Sequence, residues 1–265
     1  MHDASRNASR DTSRYAKVAS IYDQTIALES TPVLRALFDE WCLRRPTGTF
    51  LDIGSGTGLL LHHAVTRGWL ACGVEPSPQM RARSQERFAE PPEVLGSLAE
   101  VLDRSWDLVF AHGDVMNYLT EYWSLDELLA GIGGALADAG VFAGDFVTTY
   151  DILHQWPDCR NLYERPGQFR LEILHSVEER NPVRGGIQRR LFEPSAHRVG
   201  SWTETWVEWD AILGIEPSRL FQALTDHFQL VRWYDWESGG PVTAESGRIG
   251  FIVRRRQRDA AFCHP

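Results

Sequence analysis

Three glycines occupy alternate positions of the segment DIGSGTG, at Gly54, Gly56 and Gly58. A loop without side chains can bring backbone N–H groups and a helix N-terminus directly against a ligand, because no Cβ blocks the approach. The dinucleotide fingerprint would require a further glycine where Leu59 stands, and the phosphate-binding Walker pattern would require a lysine that this loop lacks. The spacing therefore predicts a ligand-binding loop that fits neither nucleotide pattern.

A carboxylate follows this loop in the sequence. Glu75 lies about 20 residues beyond the loop, at the predicted C-terminal end of the next strand, where a carboxylate can accept hydrogen bonds from both hydroxyls of a ribose. We therefore expect a ligand that carries a free ribose diol. The alternative interpretation is a tight glycine turn beside a solvated glutamate.

An alternation of strands and helices positions the loop. After a helix at 33–43, the hydrophobic pattern predicts strands at 49–53, 70–75, 106–110 and 141–147, and helices that begin at 59, 78 and 125. Strands joined by helices form right-handed crossovers in a mainly parallel sheet. The predicted fold class is therefore α/β, with a doubly wound sheet.

The second half of the chain has a different pattern. Three β-prone stretches, at 169–177, 187–192 and 202–209, follow one another without a helix, which favours antiparallel pairing. A helix at 217–228 and strands at 229–236 and 248–254 then return to the main sheet. We expect a core at 15–150 and 210–255, an inserted antiparallel lid at 151–209, and tails at 1–14 and 256–265.

Composition restricts the partners. The chain has 265 residues and a formal net charge of −9, so a nucleic acid or an anionic membrane would bind against the overall field. We therefore expect neither partner. No apolar run approaches the ~20 residues of a membrane span, so no spanning helix is expected either. Cys42, Cys72, Cys159 and Cys263 lie far apart and offer no metal-ligand spacing. A cytoplasmic protein without a metal and with a small-molecule partner is expected, as a monomer or a homodimer.

Two segments resemble known motifs. LDIGSGTG at 51–58 and GVEPSPQM at 73–80 are similar to the first two motifs of the class I S-adenosylmethionine-dependent methyltransferases, and weaker similarity continues at 106–119, 139–146 and 247–255. The resemblance implies a Rossmann-like sheet of seven strands. An antiparallel lid inserted after the fifth strand is similar to that of the small-molecule members. The resemblance also implies methyl transfer from S-adenosylmethionine, with S-adenosylhomocysteine as the product.

The resemblance also implies positions that bind the cofactor. The loop would line its amino-acid end and ribose, with Asp52 in support, and Glu75 would hold the ribose diol. Ser97 stands where the family often has Asp, so adenine recognition would rest more on shape. The complete predicted set is Tyr15, Asp52, Gly54, Ser55, Gly56, Gly58, Glu75, Pro76, Ser77, Met80, Ser97, Leu98 and His112.

Methyl transfer depends chiefly on proximity, alignment and the exclusion of water, and a base is needed where the acceptor must lose a proton. Candidates on the acceptor side are Asp114 and Tyr118 after the fourth strand, Tyr22 in an N-terminal flap, and His154 as a lid-borne base. Each has a structural alternative. An aspartate can cap a turn, a tyrosine can pack in a core, and histidines are also used structurally.

Tryptophans and tyrosines concentrate late in the chain, and a pocket lined by them would suit a flat acceptor or a cation. Packing in the core is the competing interpretation. We expect methyl transfer to oxygen, nitrogen or an electron-rich carbon of an aromatic or sugar-like metabolite. The first alternative is a non-catalytic S-adenosylmethionine-binding module that engages a protein through its tryptophan-rich lid. A nicotinamide-dependent oxidoreductase is disfavoured by Leu59.

Overall fold

The computed structural model describes residues 15–196, 198 and 200–256. The predicted tails, 1–14 and all of 256–265 except its first residue, lie outside the described residues, and so does Cys263. Within the described part, no helix combines the length and the apolar character needed to cross a membrane.

The described residues form eleven strands and six α-helices. The strands are β1 (Thr49–Ile53), β2 (Leu70–Val74), β3 (Glu93–Leu95), β4 (Trp106–Ala111), β5 (Leu136–Val147), β6 (Arg160–Arg165), β7 (Phe169–Arg180), β8 (Val183–Pro194), β9 (Trp202–Leu213), β10 (Phe228–Asp235) and β11 (Arg248–Arg255). The helices are α1 (Ala27–Cys42), α2 (Leu59–Thr66), α3 (Pro78–Gln85), α4 (Val115–Leu119), α5 (Leu125–Ala135) and α6 (Pro217–His227).

Seven strands form the main sheet in the order β3-β2-β1-β4-β5-β11-β10. Strands β1 to β5 pair in parallel, whereas β11 is antiparallel to both β5 and β10. The order reverses next to β1, which places a topological switch point at the C-terminal ends of β1 and β4. The predicted Rossmann-like sheet of seven strands is confirmed.

Helices cover both faces of this sheet. On one face, Phe38 of α1 and Leu61 of α2 pack against Phe50 and Phe110 of the central strands. On the other face, α5 and α6 contribute a second core that contains Leu128 and Leu224. Because both faces are covered, the central strands are nearly continuous apolar runs, which is the expected pattern for a parallel sheet.

A four-stranded antiparallel sheet, in the order β6-β7-β8-β9, is inserted between β5 and α6. We call it the lid sheet. Its inner face carries Leu171, Ile187 and Ile212, which pack with Val18 and Ile152 in a third core. The predicted insertion is therefore present, with two differences. Strand β6 was not predicted, and the expected boundary at 209 falls inside β9.

The first helix also differs from its prediction. Helix α1 begins at Ala27 and contains Pro32, whereas the sequence pattern placed the helix start at 33. A proline usually marks the first turn of a helix, because it lacks the N–H that an interior position needs. That rule therefore does not predict the extra helical turn before Pro32.

Candidate functional site

The three glycines of the loop are needed for different structural reasons. All have positive φ, +75° at Gly54, +55° at Gly56 and +77° at Gly58. A Cβ on Gly54 would lie 2.2 Å from a methyl of Val115, and one on Gly58 would lie 2.1 Å from Oγ of Ser84. A Cβ on Gly56 would meet nothing closer than 3.7 Å. Gly54 thus permits close packing of the loop against α4, and Gly58 permits it against α3. Gly56 presents bare backbone to an open space.

Glu75 is hydrogen-bonded to this loop. Its carboxylate accepts the N–H of Gly56 at 3.0 Å and the N–H of Ser77 at 2.8 Å. Burial raises the pKa of Glu75 to about 7, although both N–H groups act in the opposite direction. Burial, together with the charge of Glu75, raises the pKa of Asp52 to about 8. The two elements that the sequence analysis assigned to one ligand are therefore in direct contact.

The remaining predicted cofactor residues near Glu75 have structural partners. Ser77 caps α3, because its Oγ accepts the N–H of Met80, and Met80 is buried. The Arg81 guanidinium donates to the carbonyls of Glu75 and Pro76, at 2.6 and 2.9 Å. These contacts fix the backbone that carries Glu75.

Ser55 turns away from the open space, since a Cβ on Gly73 of β2 would lie 2.6 Å from its Oγ. Ser97 starts a single turn after β3, where its Oγ accepts the N–H of Ala99 and its own N–H donates to Glu100. Leu98 is buried in the main core. Ser97 and Leu98 thus have local structural explanations, whereas Oγ of Ser55 is buried without a hydrogen-bond partner among the described residues.

A buried charge cluster follows β4. Nδ1 of His112 lies 3.0 Å from Oδ1 of Asp145, and the N–H of Gly113 donates to the same oxygen at 2.9 Å. Arg248 pairs with both Asp145 and Asp114. Burial alone would raise the pKa of Asp145, but Arg248 and His112 outweigh it and lower the pKa to about 2. Nε2 of His112 is buried and has no hydrogen-bond partner among the described residues.

The N-terminal segment, residues 15–24, joins the glycine loop. Asp23 accepts the hydroxyl of Thr57 in the loop and pairs with Arg87, and Arg87 also donates to the Thr57 carbonyl. The ring of Tyr22 is the nearest group to the open side of Gly56. Burial, reinforced by the charge of Glu75, raises the pKa of Tyr22 above its usual range. The predicted flap is thus a strap over the loop, and its tyrosine is protonated at neutral pH.

Arg189 of β8 connects this strap to the lid and to the core. Its guanidinium donates to the hydroxyls of Tyr15, at 2.7 Å, and Tyr118, at 3.1 Å, and lies 4.2 Å from the ring centroid of Tyr15. It also pairs with Glu208, at 3.1 Å, and with Asp210. Burial raises the pKa of Tyr15, Tyr118 and Glu208, and the value for Glu208 is about 7. The sequence analysis missed Arg189.

Two lid histidines have different positions. His154, the predicted lid-borne base, is exposed, and its ring packs at a tilt against that of Tyr150 with ring centroids 4.6 Å apart. His175 of β7 has a buried Nδ1 without a hydrogen-bond partner in the described part of the chain. Its ring centroid lies 4.8 Å from that of Trp156.

Part of the chain that forms this site is similar to a known protein family. Residues 51–142 match a family model described as a methyltransferase domain. This stretch contains the glycine loop, Glu75 and His112. This part of the chain is therefore similar to a methyltransferase domain. No curated protein sequence matches the chain.

Solved structures agree with this methyltransferase fold over most of the chain. An S-adenosylmethionine-dependent methyltransferase from Clostridium acetobutylicum has a TM-score of 0.72 and 17 % identity, covering 91 % of this chain and 98 % of its own. The sugar N-methyltransferase KedS8 from Streptoalloteichus has a TM-score of 0.61 and 19 % identity, with 85 % and 86 % covered. CalS10 from Micromonospora echinaspora, an amino pentose methyltransferase, was solved with S-adenosylmethionine; it has a TM-score of 0.58 and 16 % identity, with 96 % and 95 % covered. The predicted class I methyltransferase fold is confirmed.

The fold brings most of the predicted acceptor-side residues together. Tyr15 and Tyr22 are in edge-to-face contact at 5.7 Å, and both interact electrostatically with Tyr118 and Arg189. Asp114 adjoins Tyr22 and Tyr118 in the same electrostatic network. Within the described part of the chain His154 contacts Tyr150 rather than this group, so the lid-borne base remains a prediction.

The late tryptophans do not form one pocket wall in the described residues. Trp209 is 60 % exposed, Trp206 packs with the lid core, and Trp233 packs with Phe221 at 5.6 Å. Trp236 approaches the predicted cofactor site, with its ring 5.3 Å from that of His112. Core and surface packing explain most of these residues.

Proposed function

We propose that this protein transfers the methyl group of S-adenosylmethionine to the amino group of a small, hydroxylated acceptor of the amino-sugar kind. The cofactor supplies a methyl group made electrophilic by a sulfonium. The protein binds both partners, excludes water and receives the acceptor's proton. We further propose that the insertion, expected at 151–209, is the acceptor lid of a core at 15–150 and 210–255.

The residues around the glycine loop fit the cofactor. Gly56 leaves an open space that a Cβ would narrow, and the Glu75 carboxylate borders it. Nε2 of His112 is buried without a hydrogen-bond partner among the described residues, so a bound ligand can form a hydrogen bond with it. We assign Glu75 to the ribose hydroxyls and Gly56 to the adjoining backbone contact. His112 is assigned to the same ligand.

The assignment of the acceptor rests on the charged side chains beneath the lid. Four buried or half-buried carboxyl groups face two guanidiniums there, in the clusters of Arg248 and Arg189; they are Asp114, Asp145, Glu208 and Asp210. This excess of acid favours a cationic acceptor, and an amine is cationic at neutral pH. Three tyrosine hydroxyls offer hydrogen bonds to acceptor hydroxyls; they belong to Tyr15, Tyr22 and Tyr118. The dispersed tryptophans favour a polar acceptor over a flat aromatic one.

Two of the similar structures support this acceptor class. KedS8 is described as a sugar N-methyltransferase and CalS10 as an amino pentose methyltransferase. Both cover most of this chain at low sequence identity. They support the proposal as similar folds, and the charges beneath the lid carry it.

Methyl transfer from tritiated S-adenosylmethionine tests this function. The full chain is incubated with methyl 3-amino-3-deoxy-α-D-glucopyranoside, with methyl α-D-glucopyranoside, and with tyramine. We expect label on the amino sugar, little on the tyramine amine and none on the neutral glucoside. Preferred labelling of tyramine or of the glucoside would refute the assignment of the acceptor, and an absence of labelled product would refute the proposed function.

A further inference from the structure

We propose that His175, on the inner face of the lid sheet, is the catalytic base that removes the proton from the acceptor's ammonium group. The inference rests on the proposed function. It assigns a proton acceptor to a residue that neither the loop motifs nor the N-terminal strap includes.

The register of the lid sheet places His175 on the face that covers the core. Leu171 and Ile173, at alternate positions of the same strand, are buried in the core beneath the lid. His175 pairs with Ile187, which in turn pairs with Asp210, so the three side chains share one face. Asp210 is a partner of Arg189. His175 thus lies beside the cluster that holds the tyrosines.

The charged groups that face His175 come from every element around it. Asp114 approaches from the loop before α4, Arg189 from β8 and Arg248 from β11, and the Cys159 carbonyl lies next to the backbone of His175. Burial lowers the pKa of His175, Asp114 and the carbonyl oppose this shift, and the two arginines add to it. The imidazole is therefore neutral at pH 7 and can accept a proton.

The other candidate bases already have partners or hold their protons. Asp114 is paired with Arg248, and Glu208 with Arg189. Burial keeps the phenols of Tyr22 and Tyr118 protonated. His175 combines a neutral ring, a buried nitrogen without a hydrogen-bond partner in the described part of the chain, and a place at the junction of both charge clusters.

The proposed step balances atoms and charge. His175 takes one proton from the R–NH₃⁺ acceptor and becomes an imidazolium, which leaves R–NH₂ with a free lone pair. That lone pair forms the N–CH₃ bond as the S–CH₃ bond breaks, and the electrons of the broken bond stay on sulfur. The products are R–NH₂CH₃⁺ and S-adenosylhomocysteine, and the imidazolium returns its proton to solvent.

A histidine titration tests the assignment without turnover. The full chain, with ¹³C-labelled histidine and saturated with S-adenosylhomocysteine, is titrated by NMR, and the His175 signal is identified by its loss in His175→Gln. We expect a midpoint below the usual value of about 6.5. We also expect that the amino glucoside probe moves this midpoint and that the neutral glucoside does not. A midpoint above about 6.5, or one that is insensitive to the amine, would overturn the proposal.

Kinetics with the amino glucoside provide the second readout. His175→Gln should lower kcat by about 10²–10⁴-fold and remove the corresponding inflection from the pH profile, while binding of S-adenosylhomocysteine stays unchanged. His62→Gln, an exposed histidine on α2, is the matched control and should keep the wild-type profile. His175→Asn replaces the first variant if that one does not fold.

Two results would contradict the assignment. Loss of the inflection in His154→Gln, with a normal profile in His175→Gln, would move the base to the other lid histidine. A wild-type kcat in His175→Gln would remove the base from His175. If the wild-type chain methylates no amine at all, the proposed function fails, and the NMR midpoint alone then decides whether His175 is a neutral base.

Discussion

The affinity for the cofactor should depend on pH through Glu75. Burial raises the pKa of this carboxyl to about 7 in the ligand-free protein. Two ribose hydroxyls donate to the ionised form, so binding requires the proton to leave and the affinity rises as pH increases through the pKa. For a group with that pKa, the dissociation constant should fall by about tenfold from pH 6 to pH 8, which is about 1.4 kcal/mol.

Isothermal titration with S-adenosylhomocysteine at about pH 6, 7 and 8 measures this dependence. Glu75→Gln keeps the shape but loses the charge-assisted hydrogen bonds, so its affinity should fall by about 1.5–3 kcal/mol and lose most of the pH dependence. Glu90→Gln, an exposed glutamate, should keep the wild-type slope. Asp52→Asn separates any contribution of that neighbouring carboxyl. An affinity that is flat in the wild type, or that keeps its slope in Glu75→Gln, would refute the reasoning.

Three further predictions concern the parts that hold the site together. Gly58→Ala should lower the free energy of unfolding by roughly 1–2 kcal/mol for its positive φ and by about 1–3 kcal/mol more for the overlap with α3. Gly68→Ala is also at positive φ but has nothing within 4 Å, so chemical denaturation should show only the first of these two losses. Equal losses in the two variants would contradict the packing argument. Arg189→Met should lower the free energy of unfolding by about 3–5 kcal/mol, because it removes the cation that pairs with the buried carboxyl groups of Glu208 and Asp210, and a normal melting temperature would exclude that role. Asp23→Asn should weaken binding of S-adenosylhomocysteine by about 1 kcal/mol by loosening the strap over Thr57, as titration would measure, and an unchanged affinity would count against the strap.

The local parts of the cofactor site could be predicted from the sequence. The loop at 54–58 and Glu75 belong to one strand–loop–helix–strand unit, so their spacing in sequence fixes their distance in space. The contact between Gly56 and Glu75 follows from this unit. The sequence did not separate the roles of the glycines, because the neighbours of Gly54 and Gly58 come from α4 and α3.

The lid side of the site could not be predicted in the same way. Arg189 and His175 lie on antiparallel strands, where a shift of one residue in register would turn either side chain to the opposite face. Nothing near Arg189 in sequence indicates that Tyr15 and Tyr118 are its partners, since these contacts join three distant segments. The alternation of Leu171 and Ile173 was a signal for the inner face of β7, and extending it by two residues identifies His175.

A crystal structure of the full chain with S-adenosylhomocysteine tests the central claim most directly. We predict both ribose hydroxyls within hydrogen-bond distance of the Glu75 carboxylate, the ribose beside Gly56, and the sulfur facing Tyr22 and Tyr118 beneath the lid. A ligand whose ribose lies away from Glu75, or whose sulfur faces away from these tyrosines, would contradict the account.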